Sequence, residues 1–157
     1  MAAGGLMYTA AFSGASLTNA AQNIWEIIPS SSVGILIHSW RLEFSPTIVS
    51  GVAQDVRPQL AIQTITTTGT GGSAVTPQPV NQRNTVSATA TFNKLVTTPG
   101  TAGVVMSAHF PSVIVPWELV YTPDQRIPVA AGKRLALNLA AGIGAFTISG
   151  YVYYEEE

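Results

Sequence analysis

The sequence contains no cysteine and carries little charge. Without cysteine, disulfide bonds, thiolate metal sites and cysteine nucleophiles are excluded. Charged residues make up 10% of the chain, whereas the hydrophobic share of 46% is ordinary. A chain this apolar folds, but so few charges protect its surface poorly against association. Two interpretations stay open: faces that meet copies of itself or another protein, or an ordinary β protein with a Thr/Ser-rich exterior.

Basic residues are also few, and they are scattered. Among the seven Lys and Arg residues only Lys133 and Arg134 are adjacent. Nucleic-acid binding requires clustered positive charge, so we expect no nucleic-acid partner. No apolar run is long enough for a membrane helix, and residues 1–12 lack the features of a signal peptide. We therefore expect no membrane contact and no export by the general pathway.

Alternation of apolar and polar residues is the strongest pattern present, and it predicts strands. Residues 85–93 alternate strictly, which would place Val86, Ala88, Ala90 and Phe92 on one face. In residues 33–44 the predicted inward set is Leu36, His38, Trp40, Leu42 and Phe44. Further inward sets are Leu6, Tyr8 and Phe12; Trp25 and Ile27; Val56, Leu60 and Ile62; Val113, Val115, Trp117, Leu119 and Tyr121; Leu135, Leu137 and Leu139; and Phe146, Ile148, Val152 and Tyr154.

No window of helical length shows a convincing 3.6-residue period. Turn clusters instead separate many short strands. The sequence therefore predicts one all-β domain over residues 1–157, a jelly-roll-like antiparallel β-sandwich of about eight to ten strands. Residues 1–7 are expected to form a flexible arm.

Residues 66–84 form a long stretch rich in Gly, Thr and Pro with no periodicity. Within it, Thr76-Pro77-Gln78-Pro79 should be extended. Loops of this length inside a compact domain are usually functional or mobile. We expect the stretch to make partner contacts, and a tolerated surface excursion is the alternative.

The search for chemistry is negative. His38 lies between apolar residues, as a hydrogen-bonded core histidine would, and His109 has no accompanying nucleophile motif. The acidic residues before the tail each stand alone, which is typical of solvated strand-face carboxylates: Glu26, Glu43, Asp55, Glu118 and Asp124. The final Glu155-Glu156-Glu157 is interpreted as a solvated tail. We expect no enzyme activity, no catalytic or metal site, no cofactor and no small-molecule substrate.

The three tryptophans could line a sugar site or fill the core. Trp25, Trp40 and Trp117 each occupy an inward position of an alternating run, which favours core packing.

Three stretches together resemble a known group of proteins. They are YTAAFSG at 8–14 followed by WEIIP at 25–29, residues 33–44 with the Gly/Thr/Pro stretch after them, and WELVYTPDQRIP at 117–128 followed by AGKRL at 131–135. The chain resembles small β-sandwich structural proteins of tailed-bacteriophage virions, above all jelly-roll head decoration, or cement, proteins. The likeness spans almost the whole chain but consists of the spacing of strands and turns, with no catalytic signature. Fold alone does not imply function.

The resemblance implies a homotrimer on the outside of a capsid, bound to the major capsid protein and present in the host cytoplasm before assembly. A cement protein needs flat complementary patches and no pocket. Candidate contact residues are Met1, Leu6, Thr76, Pro77, Gln78, Pro79 and Arg83. The alternative is a tail-tip or fibre module that binds a receptor or glycan.

Overall fold

The chain folds into two antiparallel β-sheets. The computed structural model describes residues 5–46, 56–143 and 146–157. The strands in these ranges are β1 (Leu6–Ser16), β2 (Gln22–Ile28), β3 (Ile35–Pro46), β4 (Leu60–Ile65), β5 (Ser73–Val75), β6 (Gln78–Pro79), β7 (Thr91–Val96), β8 (Ala102–His109), β9 (Trp117–Val120), β10 (Ile127–Val129), β11 (Leu135–Leu139) and β12 (Phe146–Glu156). A short 3-10 helix spans Pro123–Gln125. The predicted all-β class is confirmed.

The strand order places the two ends of the described chain side by side. Sheet A has the order β10–β3–β12–β1–β6, with β9 also paired to β3, and sheet B has the order β5–β7–β2–β11–β4–β8. In sheet A, β1 pairs with β12 from Leu6 opposite Glu156 to Ser16 opposite Thr147. The steps from β1 to β2, β3 to β4, β8 to β9 and β11 to β12 each pass from one sheet to the other.

An aromatic cluster occupies the core. Trp25 meets Phe12 and Phe92 edge-on, at ring-centroid distances of 4.9 and 5.9 Å. Tyr154 lies 4.7 Å from Phe92 and stacks on Tyr8 at 5.6 Å. Such pairs add to the large apolar area that each ring buries. Trp25 and Trp40 are buried as predicted, whereas Trp117 is only half-buried.

The predicted face of residues 33–44 is wrong in its first half. The pairing of β3 with β12 shifts register where Tyr153 faces Ser39 and Tyr154 faces Ile37, so His38 is the extra residue of a bulge. The bulge switches which residues point inward: Ile35 and Ile37 are buried before it, and Trp40, Leu42 and Phe44 after it. His38 is half-buried and hydrogen-bonded, 3.1 Å from Glu155.

The strand predicted over residues 85–93 is also wrong for most of its length. β7 begins only at Thr91, and Val86 is exposed. Ala90 and Phe92 are buried as expected. Alternation alone could not show that residues 85–90 pair with no strand among the residues that the structure describes.

The inward set predicted around residues 113–121 needs correction too. Val113 is buried, but Val115 is exposed and Trp117, Leu119 and Tyr121 are half-buried. The short strand β9 lies at the border of sheet A, which leaves its inner face partly uncovered.

The expected arm and loop contain regular structure. Leu6 and Met7 belong to β1, while Met1 lies outside the described residues. The stretch 66–84 contains β5, β6 and an isolated bridge between Thr70 and Thr98. Likewise Glu155 and Glu156 belong to β12, and Glu156 is buried, so they are not a solvated tail.

Candidate functional site

The two lateral sides of the sandwich differ. On one side, β5 of sheet B leads through Thr76 and Pro77 into β6 of sheet A, so the chain itself crosses between the sheets. On the other side, β8 ends sheet B, while only the short β9 and β10 flank β3 in sheet A. The first side is therefore closed and the second is open.

A groove, here called the open groove, runs between β8 and the β9–β10 border. Its volume is about 460 Å³, and it is lined by Met106, Ser107, His109, Leu119, Val120, Tyr121, Gln125 and Ile127. A second depression of about 420 Å³ continues from Met106 along residues 128–130 and 133–135. Together they form a mostly apolar channel between the two sheet borders.

One ring contact and one hydrogen bond hold His109 and Tyr121, which line the open groove. His109 lies 5.4 Å from Trp117, ring centroid to ring centroid, which joins the last strand of sheet B to sheet A. Burial lowers the pKa of His109 below its usual 6.5. Trp40 Nε1 donates to the Tyr121 hydroxyl at 3.1 Å. Burial raises the pKa of Tyr121, although the hydrogen bond from Trp40 opposes that shift.

The rim of the open groove is apolar and exposed. Met106 and Val120 line the groove, and the large apolar side chains of β8, of the β8–β9 connection and of β9 are each 50–70% exposed: Val104, Val105, Met106, Phe110, Ile114, Val115 and Val120. Residues 95–117 contain no Asp, Glu, Lys or Arg. Contiguous exposed apolar patches are uncommon on monomers and mark interaction sites. We call this set of residues the apolar rim.

Ser107 and His109 are the closest approach to reactive chemistry in the groove. His109 Nε2 lies 3.2 Å from Ser107 Oγ. A hydrolytic triad also needs a carboxylate that orients the imidazole, and the side-chain hydrogen bond of His109 within the described ranges is to Ser107. No group of three or more His, Asp or Glu residues there could hold a metal ion. The arrangement supports binding through apolar contact.

The closed side brings together most of the contact residues predicted from sequence. Gln78 and Pro79 pair with Thr9 and Tyr8, and the Val80 amide donates to the Met7 carbonyl at 3.0 Å. The Tyr8 hydroxyl donates to the Val86 carbonyl at 3.1 Å. A shallow cleft of about 180 Å³ separates residues 76–79 from residues 84–88. We call this the β6 surface: Leu6, Thr76, Pro77, Gln78, Pro79, Val80, Arg83 and Val86, of which Leu6, Thr76, Gln78, Val80, Arg83 and Val86 are exposed.

Buried glutamates hold the loops beside these surfaces, contrary to the solvated role expected for Glu26. Glu26 is fully buried and accepts hydrogen bonds from the Gly69 amide (2.9 Å), the Gly100 amide (3.3 Å) and Asn23 Nδ2 (2.7 Å). A Cβ at Gly69 or Gly100 would overlap backbone carbonyl oxygens, so both positions require glycine for close approach. Glu26 thereby joins residues 66–72 to residues 97–101.

Glu156 performs the same task at the β6 surface. Its Oε1 accepts hydrogen bonds from the Thr89 amide at 2.7 Å and the Ala90 amide at 2.9 Å. These bonds satisfy two backbone amides that no strand of the described ranges pairs, and amides away from water require such an acceptor. The segment between β6 and β7 is consequently tied to the end of β12.

The apolar rim and open groove escaped prediction from sequence. The stretch Ala102–His109 does not alternate, so its strand gave no periodic signal. The available signal was the length of uncharged chain from residue 95 to residue 117. Edge strands usually carry charged side chains that prevent association. β8 carries no Asp, Glu, Lys or Arg, which is the pattern of an edge that is covered.

No protein-family model matches the chain, and neither curated proteins nor solved structures include a significant match. No helix in the described part of the chain is long and apolar enough to span a membrane.

Proposed function

We propose that this chain is a viral structural protein, a capsid decoration subunit that binds the outside of an assembled phage head and stabilises it. The observation that carries the proposal is a β-sandwich with an exposed apolar surface on each of two opposite sides: the apolar rim and the β6 surface. A subunit that bridges neighbours in a lattice needs more than one contact face. The resemblance in strand and turn cadence supports the same assignment.

The strand order supports a jelly roll. Removing β5, β6 and β7 leaves β1–β12–β3 with β9 and β10 in one sheet, and β2–β11–β4–β8 in the other. Because β9 and β10 both pair with β3, along Ser39–Leu42 and Ile35–Ile37, they share one position, and each layer then has four strand positions, as in a jelly roll built from two Greek keys. The chain adds β5, β6 and β7 at the closed side.

The β6 surface is our proposed contact with the major capsid protein. The backbone of β6 is already extended and contains prolines, and Glu156 holds the neighbouring segment in place. Little conformational freedom is therefore lost on docking. Binding to the assembled shell but not to free capsid subunits stabilises the shell by linkage. Repetition over the lattice increases the effect through effective concentration. The subunit is proposed to act as a homotrimer on the virion. Before assembly it is expected in the host cytoplasm.

Shell binding provides the test. Purified protein is mixed with heads that lack it, and co-sedimentation and the temperature of shell opening are measured. We expect saturable binding and a higher opening temperature. The Val80→Asp and Leu6→Asp variants should lose binding. Ala131→Asp should retain it, because Ala131 is exposed in the turn that follows β10 and lies outside the β6 surface. Failure of the unaltered protein to bind any head would reject the proposal.

A glycan-binding tail module is the second candidate, and one cleft favours it. The cleft has a volume of about 240 Å³ on the outer face of sheet A and is lined by Ala11, Phe12, Arg41, Glu43, Ser149, Gly150 and Tyr151. The Tyr151 hydroxyl donates to Glu118 Oε1 at 3.3 Å, and Tyr151 meets Tyr153 edge-on. An aromatic wall beside charged side chains suits a sugar. Glycan-array binding that Tyr151→Ala abolishes would establish this function instead.

A further inference from the structure

We propose that the apolar rim and the open groove form the contact between copies of this chain. The occupant of the groove is a second copy, whose β8 seats its exposed valines there. This inference rests on the proposed function only for the expected number of copies. The surface itself is assigned from the edge, charge and area of the rim.

The first argument is the uncharged edge. β8 pairs with β4 from Leu60 opposite His109 to Ile65 opposite Ala102, and no other strand of the described chain pairs with it. Natural edge strands are guarded by lysine, proline, inward charges or bulges. β8 has the sequence AGVVMSAH, so it carries no lysine, proline or acidic residue. Its exposed apolar side chains favour contact with another surface.

The second argument decides the kind of cover. Two register shifts interrupt the β4–β8 pairing, one at each side of Gln63. Bulges twist an edge away from continuous pairing. A β8 edge built this way is unsuited to adding a long new strand, and contact through its side chains is favoured. The result is a discrete oligomer, because open-ended sheet growth needs a flat edge.

The third argument concerns the chemistry of the partner. Six of the seven rim residues lie within residues 95–117, which contain no Asp, Glu, Lys or Arg, so the rim offers little charge for an acidic or basic partner to match. Glu118, directly after this stretch, lies 3.9 Å from Arg41 of the same chain. An apolar surface is the matching partner, and the chain itself carries one.

The fourth argument is size. The rim offers seven large apolar side chains, each 50–70% exposed, toward the roughly 800 Å² that each partner contributes to a standard interface. The exposed Val104 and Val105 belong to β8, the strand that also contributes Met106, Ser107 and His109 to the lining of the open groove. Each copy therefore supplies both halves of a complementary contact. Three such contacts in a ring give the proposed trimer.

The mass of the full chain in solution tests the inference. Light scattering after size-exclusion chromatography should give three copies at micromolar concentration. Val104→Lys and Val120→Lys should each weaken association by about 100-fold or more, since each buries an unpaired charge. The matched control is Val86→Lys, which places the same charge on the exposed β6 surface and should leave the mass unchanged. Near-ultraviolet circular dichroism checks that every variant keeps its aromatic core.

Cross-linking identifies the contact directly, because the chain has no cysteine of its own. A Val104→Cys chain mixed with a Val120→Cys chain should form a disulfide between the two chains on oxidation. A monomer at all concentrations, an oligomer that neither lysine variant weakens, or a failure of the mixed chains to cross-link would overturn the inference. Shell binding by a monomer would overturn this inference alone, and an oligomer that binds no shell would overturn the proposed function alone.

Discussion

Glu26 shows how a single buried charge organises two loops. Both of its oxygens are used: Oε2 accepts from the Gly69 amide, and Oε1 accepts from the Gly100 amide and from Asn23. Asn138 in turn donates to Asn23 at 2.7 Å, so a polar chain crosses from β11 to β2. The two glycine amides and the Asn23 side chain therefore each use an oxygen of Glu26 as hydrogen-bond acceptor.

We predict that Glu26→Gln destabilises the protein by about 1–3 kcal/mol, because the new amide group must face at least one backbone donor and leave it unsatisfied. The measurement is urea unfolding followed by fluorescence of the buried tryptophans. Glu43→Gln, which makes the same change on an exposed carboxylate of β3, should alter the free energy of unfolding by less than about 0.5 kcal/mol. Equal effects of the two substitutions would contradict the assigned role of Glu26.

The burial of Glu26 was beyond prediction from sequence. Its apolar neighbours Trp25 and Ile27 correctly indicated a strand, and alternation then placed Glu26 on the solvent face. The loops that cover it lie 43 and 74 residues away along the chain. Local periodicity reports which face a residue occupies and contains no information about what folds over that face.

At the scale of elements, a strand was predicted well where its pairing is regular and poorly where a bulge or an uncovered face interrupts the alternation. The β11 set Leu135, Leu137 and Leu139 is buried as expected between β2 and β4. β3 changes phase at the His38 bulge, because a bulge adds a residue without altering the sequence pattern on either side. β8 was missed because its residues are mostly exposed on both faces, so apolar and polar residues do not alternate along it.

The segment before β7 yields an element-scale prediction about Glu156. Glu156→Ala should make the Thr89 and Ala90 amides exchange with solvent about tenfold faster or more, since both lose their acceptor. Hydrogen–deuterium exchange resolved to single residues measures this. Glu156→Gln keeps an oxygen in place and should restore protection, and Glu157→Ala, at an exposed neighbour, should change nothing. Fast exchange in the Gln variant would contradict the hydrogen-bonding role.

At the scale of the whole molecule, the sequence predicted the class and the approximate strand number but not the two-sided surface. That surface follows from topology: the insertion of β5 and β6 closes one side, and the shortness of β9 and β10 leaves the other open. The same topology separates the proposed shell contact from the proposed contact between copies. Each contact can therefore be altered without disturbing the other.

If a second copy covers the open groove, as proposed, assembly is expected to be sensitive to acid. Burial lowers the pKa of His109, which means that the folded groove favours the neutral imidazole. A second copy seated over the groove would remove more water and lower the pKa of His109 further. Protonation is then more favourable in the free subunit than in the assembly, so association should be full at neutral pH and weaken as the pH falls through the pKa of His109 in the free subunit, which already lies below 6.5.

Sedimentation velocity at pH 8, 6 and 5 measures this dependence. Tyr121 also lines the groove, but its raised pKa keeps it neutral throughout this range. The other histidine, His38, lies 3.1 Å from Glu155, and His38→Gln provides the matched control. His109→Gln should remove most of the pH dependence, whereas His38→Gln should leave it in place. An acid-induced dissociation that persists in His109→Gln would show that another group senses pH and that His109 is not covered by the second copy.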